Sequence, residues 1–255
     1  MRIPGFLIAF IMLLGLPARG EEVVAALSQT NVALTATFEG SEILVYGAVR
    51  REAPIPEGDP PLEVIVTVQG PAGPLTVWRK ARRAGIWVNV EAVSVSSAPS
   101  YYAVATSGLL GDVLTATEDL RHRVSIPRAI RAFGAADTVP DAEAFTDALL
   151  RIREEDGLYQ LLEGEVELDR DTLFTARISL PANITEGVYS TRIFLTRGGA
   201  VIDRFDTAID VSKVGIERWL FVTAHEQPVF YGLLAVLIAM FSGWAASAGF
   251  RYLRS

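Results

Sequence analysis

The chain has no cysteine and only two histidines, His122 and His225, among its 255 residues. The first absence excludes a disulfide framework and thiolate chemistry. The second leaves too few imidazoles, far apart in sequence, for a histidine-rich metal site. Acidic residues are missing from both ends: none of the 30 Asp and Glu lies in 1–20 or 228–255. Those ends hold four of the 23 basic residues (Arg2, Arg19, Arg251 and Arg254), so the stretch between them sets 19 basic against 30 acidic side chains, a net of −11. A domain of that sign has no global field to hold nucleic acid, and no extended basic stripe offsets it. Catalytic templates are missing too: there is no Gly-x-Ser-x-Gly, no His-Glu-x-x-His, no P-loop and no dinucleotide fingerprint. The carboxylate clusters Glu154-Glu155-Asp156 and Asp169-Arg170-Asp171 have no neighbouring histidine and read as a helix end and a turn. The expectation is a protein that is not an enzyme and carries no cofactor or metal.

What is present begins with hydropathy. The mean hydropathy of +0.31 is high for a soluble domain, and the two ends account for much of it. Met1–Gly20 has a basic residue at position 2, an apolar stretch from Ile3 to Leu16, and small residues at the −3 and −1 positions before Glu21. This is the pattern of a secretory signal peptide, with an uncleaved N-terminal anchor as the alternative. Val229–Phe250 is a charge-free run of 22 residues. As a helix it spans roughly 33 Å, enough for the ~30 Å hydrocarbon core of a bilayer. Arg251 and Arg254 follow it, so the positive-inside rule puts 251–255 in the cytoplasm and the N-terminal domain in the periplasm. The expected location is the inner (cytoplasmic) membrane, with a single pass. Within the run, the pairs Ser242/Ala246, Gly243/Ser247 and Ala245/Gly249 are each small-xxx-small, a spacing that lets helix backbones approach closely. They are the candidate helix–helix contact residues in the membrane, for a partner or for self-association.

Between the ends the texture is mainly β. Short β-branched and apolar stretches are punctuated by turn residues every eight to twelve positions, which predicts an immunoglobulin-like antiparallel β-sandwich, or two, without the cysteine pair. Asn31–Phe38 and Glu42–Val49, around Glu39-Gly40-Ser41, suggest a hairpin. Leu62–Gln69 alternates cleanly, and Leu75–Lys80, Ile86–Val90, Val93–Ser97 and Tyr101–Thr106 follow as strands. Trp78 and Trp87 are read as core plugs, and of the adjacent Tyr101 and Tyr102 only one is expected in the core. The texture changes near Gly111. Pro127 suits an early helical position, and Asp141–Asp156 places Phe145, Leu149 and Ile152 on one helical face, with Gly157 as its stop. β texture resumes at Leu158 and closes with a hairpin around Arg197-Gly198-Gly199. The layout is thus a signal peptide (1–20), an N-terminal β-sandwich (21–110), a helical insertion (111–157), a second β segment that completes the sandwich or forms a small second one (158–212), a juxtamembrane segment (213–228), a transmembrane helix (229–250) and a cytoplasmic tail (251–255).

One polar cluster stands out. Arg79, Lys80, Arg82 and Arg83 put four basic residues into five positions of an acidic domain. As a functional feature they would contact an anion or an acidic partner. As a structural one they would be a solvated turn or an edge guarded against aggregation. His225-Glu226, just before the apolar run, reads as an ordinary interfacial break.

The stretches Thr37–Gly47 (TFEGSEILVYG), Val66–Pro71 (VTVQGP), Arg79–Asn89 (RKARRAGIWVN), Pro99–Ser107 (PSYYAVATS), Leu180–Tyr189 (LPANITEGVY) and Val214–Trp219 (VGIERW) together resemble a family of alphaproteobacterial putative transmembrane proteins of unknown function. The resemblance runs over nearly the whole mature chain. It implies envelope placement, a C-terminal membrane helix and, by association, a sulfite-exporter-type permease as neighbour; it implies no catalytic residues. Two functions are then in view. One is a membrane-anchored periplasmic accessory protein docking onto an integral membrane protein. The other is a tethered ligand-binding or adhesion-like module.

Overall fold

The computed structural model describes residues 21–35, 38–51, 58–130, 142–213 and 223–253, with side chains of the last segment described through Trp244. Met1–Gly20, and with it the signal-peptide reading, lies outside the described residues. The chain forms two compact units, one taking the N-terminal part to Val32 together with Glu39–Asp210, the other Ala33–Phe38 with Val211–Ser255.

In the first unit, β1 (Glu22–Leu27), β3 (Ser41–Arg50), β10 (Leu173–Leu180) and β9 (Val166–Asp169) form a sheet in the order β1-β3-β10-β9. A larger sheet runs β2-β12-β11-β4-β7-β8, from β2 (Asn31–Leu34), β12 (Ala200–Lys213), β11 (Gly187–Arg197), β4 (Leu62–Gln69), β7 (Tyr102–Thr106) and β8 (Tyr159–Glu163). A separate two-stranded ribbon pairs β5 (Ala72–Arg83) with β6 (Ile86–Pro99). The smaller sheet lies on the larger one, β10 against β7 and β1 against β11. Strands from 21–110 and from 158–212 therefore pair across the divide, β3 with β10 and β4 with β11, rather than closing on themselves.

The centre of the larger sheet is covered on both faces. Val64, Val66 and Val68 of β4, Ala103 and Ala105 of β7, and Ile193 and Leu195 of β11 point toward the smaller sheet, and all are buried. The alternate residues Ile65, Thr67, Tyr102, Val104, Thr106 and Phe194 are buried as well. Their cover is a helical stretch of α1 (Leu110–Val113), α2 (Ala116–His122) and α3 (Ile126–Ala129), which contributes the buried Val113, Val124, Ile126 and Ile130. A strand hidden on both sides reads as a continuous apolar run rather than an alternating one, which is the texture of 101–105. Both Tyr101 and Tyr102 are accordingly in the core, not one of them. Tyr101 donates to the Ser179 carbonyl of the smaller sheet at 2.8 Å, and Tyr102 donates to the Val124 carbonyl under the helices at 2.8 Å. Burial pushes the Tyr102 phenol up to about 12, although the neighbouring Arg192 charge and hydrogen bond pull it down.

Local signals explain the helices. Thr115 caps α2 by accepting from the Glu118 amide, and Arg123 ends it in the left-handed region. Ser125 precedes α3, where Pro127 occupies the first turn. The fourth helix, α4 (Ala142–Glu155), stops at Gly157 with φ +70°. The Leu158 amide bonds to the Arg153 carbonyl and the Gly157 amide to that of Glu154, the Schellman pattern that glycine favours. Phe145 and Leu149 of α4 are buried, whereas Ile152 is exposed.

Two expectations fail for physical reasons. The hairpin of 31–38 with 42–49 does not form, because both edges of β3 are occupied, by β1 and by β10. The sheet is not purely antiparallel: β7 and β8 run parallel. A parallel pair needs a long crossover, and the helical stretch between β7 and β8 supplies it. In the second unit a helix, α5 (Pro228–Leu253), forms where the apolar run predicts one. Yet among the described residues no helix is long and apolar enough to cross a membrane.

The start of β1 is fastened by an ion cluster. Arg197 grips both Glu21 carboxylate oxygens at 2.8 and 2.7 Å, and Arg51 donates to Oε1 at 2.5 Å. Burial alone would raise the Glu21 pKa, but the hydrogen bonds and charges of Arg51 and Arg197 outweigh it and leave the value lowered. A lowered folded-state pKa gives stability that is present above the ordinary value of 4.5 and lost as pH falls through the folded one. Glu21→Gln should therefore cost about 2 kcal/mol at pH 7. In urea unfolding, the gap between wild type and variant should close below pH 4.5; a gap independent of pH would show that the carboxylate charge is not what holds the strand.

Candidate functional site

Two places in the first unit gather charge without an obvious structural purpose. The first is the free end of the β5–β6 ribbon. Ala84 (φ +49°) and Gly85 (φ +85°) are both left-handed, the pair of conformations that a two-residue type I′ turn requires and that matches the strand twist. Arg83 pairs with Ile86, Arg82 with Trp87 and Lys80 with Asn89; the register then slips, leaving Val90 as a bulge before Arg79 meets Glu91.

Strand alternation sorts the basic cluster onto two faces. Lys80 and Arg82 share a face with Trp78 and Trp87, while Arg79 and Arg83 lie on the other. Arg79 has structural duties: it pairs with Glu91 at 3.0 Å and its guanidinium stacks 4.5 Å from the Phe145 ring of α4. Among the described residues, no carboxylate pairs with Lys80, Arg82 or Arg83. The tryptophans do not plug the core. Trp78 is 56% exposed, Trp87 69% and Ile86 64%. The ribbon's base, by contrast, is anchored, with Val77, Val93 and Phe145 packed together. The ribbon thus presents two indoles and an isoleucine beside three cations that no described carboxylate pairs with. Sequence reasoning found the cations and misplaced the aromatics, because a two-stranded ribbon has no second layer to bury them.

The second place was not singled out from the sequence. A cavity of about 390 Å³ opens at the outer face of the larger sheet, lined by Gln69, Ser97, Arg121, His122, Arg123, Ala129 and Arg192. Its arginines come from the end of α2 and from β11, and β11 is distant in sequence. Arg192 donates from Nε to Thr67 Oγ1 (3.2 Å), from Nη1 to the His122 carbonyl (2.8 Å), and from Nη2 to Tyr102 Oη (2.9 Å) and the Arg123 carbonyl (3.1 Å). Glu118 pairs with Arg121 at 2.6 Å and approaches His122 at 3.3 Å. Asp119 is committed to the Val124 and Ser125 amides and the Ser125 hydroxyl. Among the described residues no group of three or more His, Cys, Asp or Glu is placed to hold a metal ion.

In the second unit, the helical backbone carries the small-residue spacing. A Cβ at Gly243 would meet open space, and Ser242 is exposed. The side chains of Ala245, Ala246, Ser247 and Gly249 lie outside the described residues.

The ribbon and its base should separate in mutagenesis. Trp78→Ala and Trp87→Ala are expected to change unfolding free energy by no more than about 0.5 kcal/mol, as for ordinary surface sites. Phe145→Ala should cost about 3 kcal/mol. Equal losses at all three positions would contradict the exposed ribbon.

Among solved structures, the crystal structure of Spo0M, sporulation control protein, from Bacillus subtilis matches 81% of this chain and 55% of that one, at 9% identity and a TM-score of 0.28. The chain spans about half the length of that protein, and a likeness so remote decides neither fold nor function. No curated protein matches the chain. The family model described as "Putative transmembrane protein (Alph_Pro_TM)" matches residues 22–252. The match takes in both units, and the chain belongs to that family.

Proposed function

We propose that the protein is a non-enzymatic, single-pass accessory protein of the inner membrane, its β unit in the periplasm, docking onto an integral membrane protein. The observation that carries this reading is the state of α5. From Val229 to Trp244 the helix has no charged side chain, and Leu233, Val236, Leu237, Ile238, Met240, Phe241 and Trp244 are all more than half exposed. A helix apolar on every side is stable only when something covers it. Each large side chain left in water forgoes roughly 1.5–3 kcal/mol. Lipid is the natural cover for the first half, and the small-residue spacing of 242–249 suits a partner helix. Membership of a family described as transmembrane supports the same reading.

Partner choice then belongs to two surfaces, the small-residue stretch in the bilayer and the ribbon outside it. A sulfite-exporter-type permease is the partner the family resemblance implies. The test is crosslinking and co-purification from detergent, with Val229–Phe250 replaced by a generic leucine-rich span in parallel. The native chain should bring down a polytopic membrane protein, and the replaced one should lose it while staying membrane-bound. Retention of partner and function after the swap would favour a merely tethered module. A native chain recovered only as monomer would refute the docking role.

A further inference from the structure

We infer that the arginine-lined cavity behind α2 is a binding site for a small organic anion with a dianionic head, a phosphate monoester. Gln69, Ser97, Arg121, His122, Arg123 and Arg192 supply its polar lining, and no carboxylate is among them. Arg192 is half-buried and carries a full charge, yet all four of its partners are neutral oxygens. Among the described residues no carboxylate lies within ion-pair reach of it. Four of the five guanidinium N–H groups are spoken for, which leaves one Nη1 hydrogen uncommitted. A desolvated cation held without a counter-charge is costly. The same arrangement is a preorganised anion receptor, since the hydrogen bonds fix the guanidinium before any ligand arrives.

Charge and size narrow the ligand. The guanidiniums of Arg121, Arg123 and Arg192 bring three positive charges, and Glu118, paired with Arg121 at 2.6 Å, offsets one. Among the lining side chains two remain, while Asp119, outside the lining, is engaged by the Val124 and Ser125 amides and the Ser125 hydroxyl; a phosphate monoester dianion suits that lining better than a monocarboxylate. Forked N–H pairs suit phosphate oxygens, and Gln69 and Ser97 add neutral donors. The volume of about 390 Å³ falls in the range of small-molecule sites and exceeds the room one inorganic ion needs. Neither the family description nor the docking role requires this site, and the ribbon contributes only Ser97 to it, from the end of β6 remote from the basic tip.

The test is calorimetric titration of the full chain in detergent with glycerol 1-phosphate, inorganic phosphate and acetate. Glycerol 1-phosphate should bind saturably at one site, acetate should bind far more weakly, and the phosphate ester should raise the melting temperature. Arg123→Asn keeps a residue that tolerates the left-handed backbone at 123. It should weaken binding about tenfold or more, the scale of one charged hydrogen bond. Arg121→Gln, on the exposed face of α2, is the second variant, expected to act in the same direction. Lys80→Gln, Arg82→Gln and Arg83→Gln together should leave binding unchanged. No saturable binding of either phosphate probe, equal affinity for acetate, full affinity in both cavity variants, or loss of binding in the ribbon variant would each overturn the assignment.

Discussion

Strands β4, β7 and β11 must be covered on both faces, and most of the first unit is arranged to meet that requirement. The inner cover is the smaller sheet. The outer cover is the helical stretch between β7 and β8, laid over Ile65, Val104 and Phe194. A polar patch in that outer interface, Thr67, Tyr102 and Arg192, would be costly if left unsatisfied. It is satisfied by the carbonyls of His122, Arg123 and Val124, where α2 ends and the chain turns toward α3. Packing and hydrogen bonding thus fix the helices at the same spot.

The cavity is a consequence of that solution. Arg123 ends α2 in the left-handed region and its carbonyl accepts from Arg192, and the α2 residues Arg121 and His122 flank the opening. Acidic residues dominate the domain as a whole, so a cavity lined by three arginines is a local inversion of sign. The ribbon is a second inversion, reached differently: among the described residues no layer covers its tip, so charged and aromatic side chains share an open surface. The two basic features differ in physical character, one an open cavity in which Arg192 is held by four hydrogen bonds, the other exposed at the end of a long hairpin.

α5 raises a separate question of cover. Its exposed apolar side chains have no use in water, and the β unit has its own closed core in which nearly every large buried side chain is accounted for by the two sheets and the helical stretch. The family's transmembrane description and the apolar run of α5 agree in character.

Much of this was legible in the residues themselves. Strand β4 matched the bounds of Leu62–Gln69, the closing hairpin matched the glycines at 198 and 199, and α4 ended at Gly157, because turn chemistry and strand texture are local properties. The location of the helix at the C-terminus followed from its charge-free run. What the tertiary structure decided was pairing and company. Periodicity marks a strand but not its neighbour, so the partner of β2, the parallel β7–β8 pair and the sharing of sheets between the two β stretches were not readable. Exposure of Trp78 and Trp87 depended on whether a second layer lay above the ribbon. The cavity joined Arg192 to Arg121–Arg123 across about 70 residues, a convergence that exists only once the sheet is built and covered. Local sequence determines what each element is; the choice of which faces are buried together is a property of the whole chain.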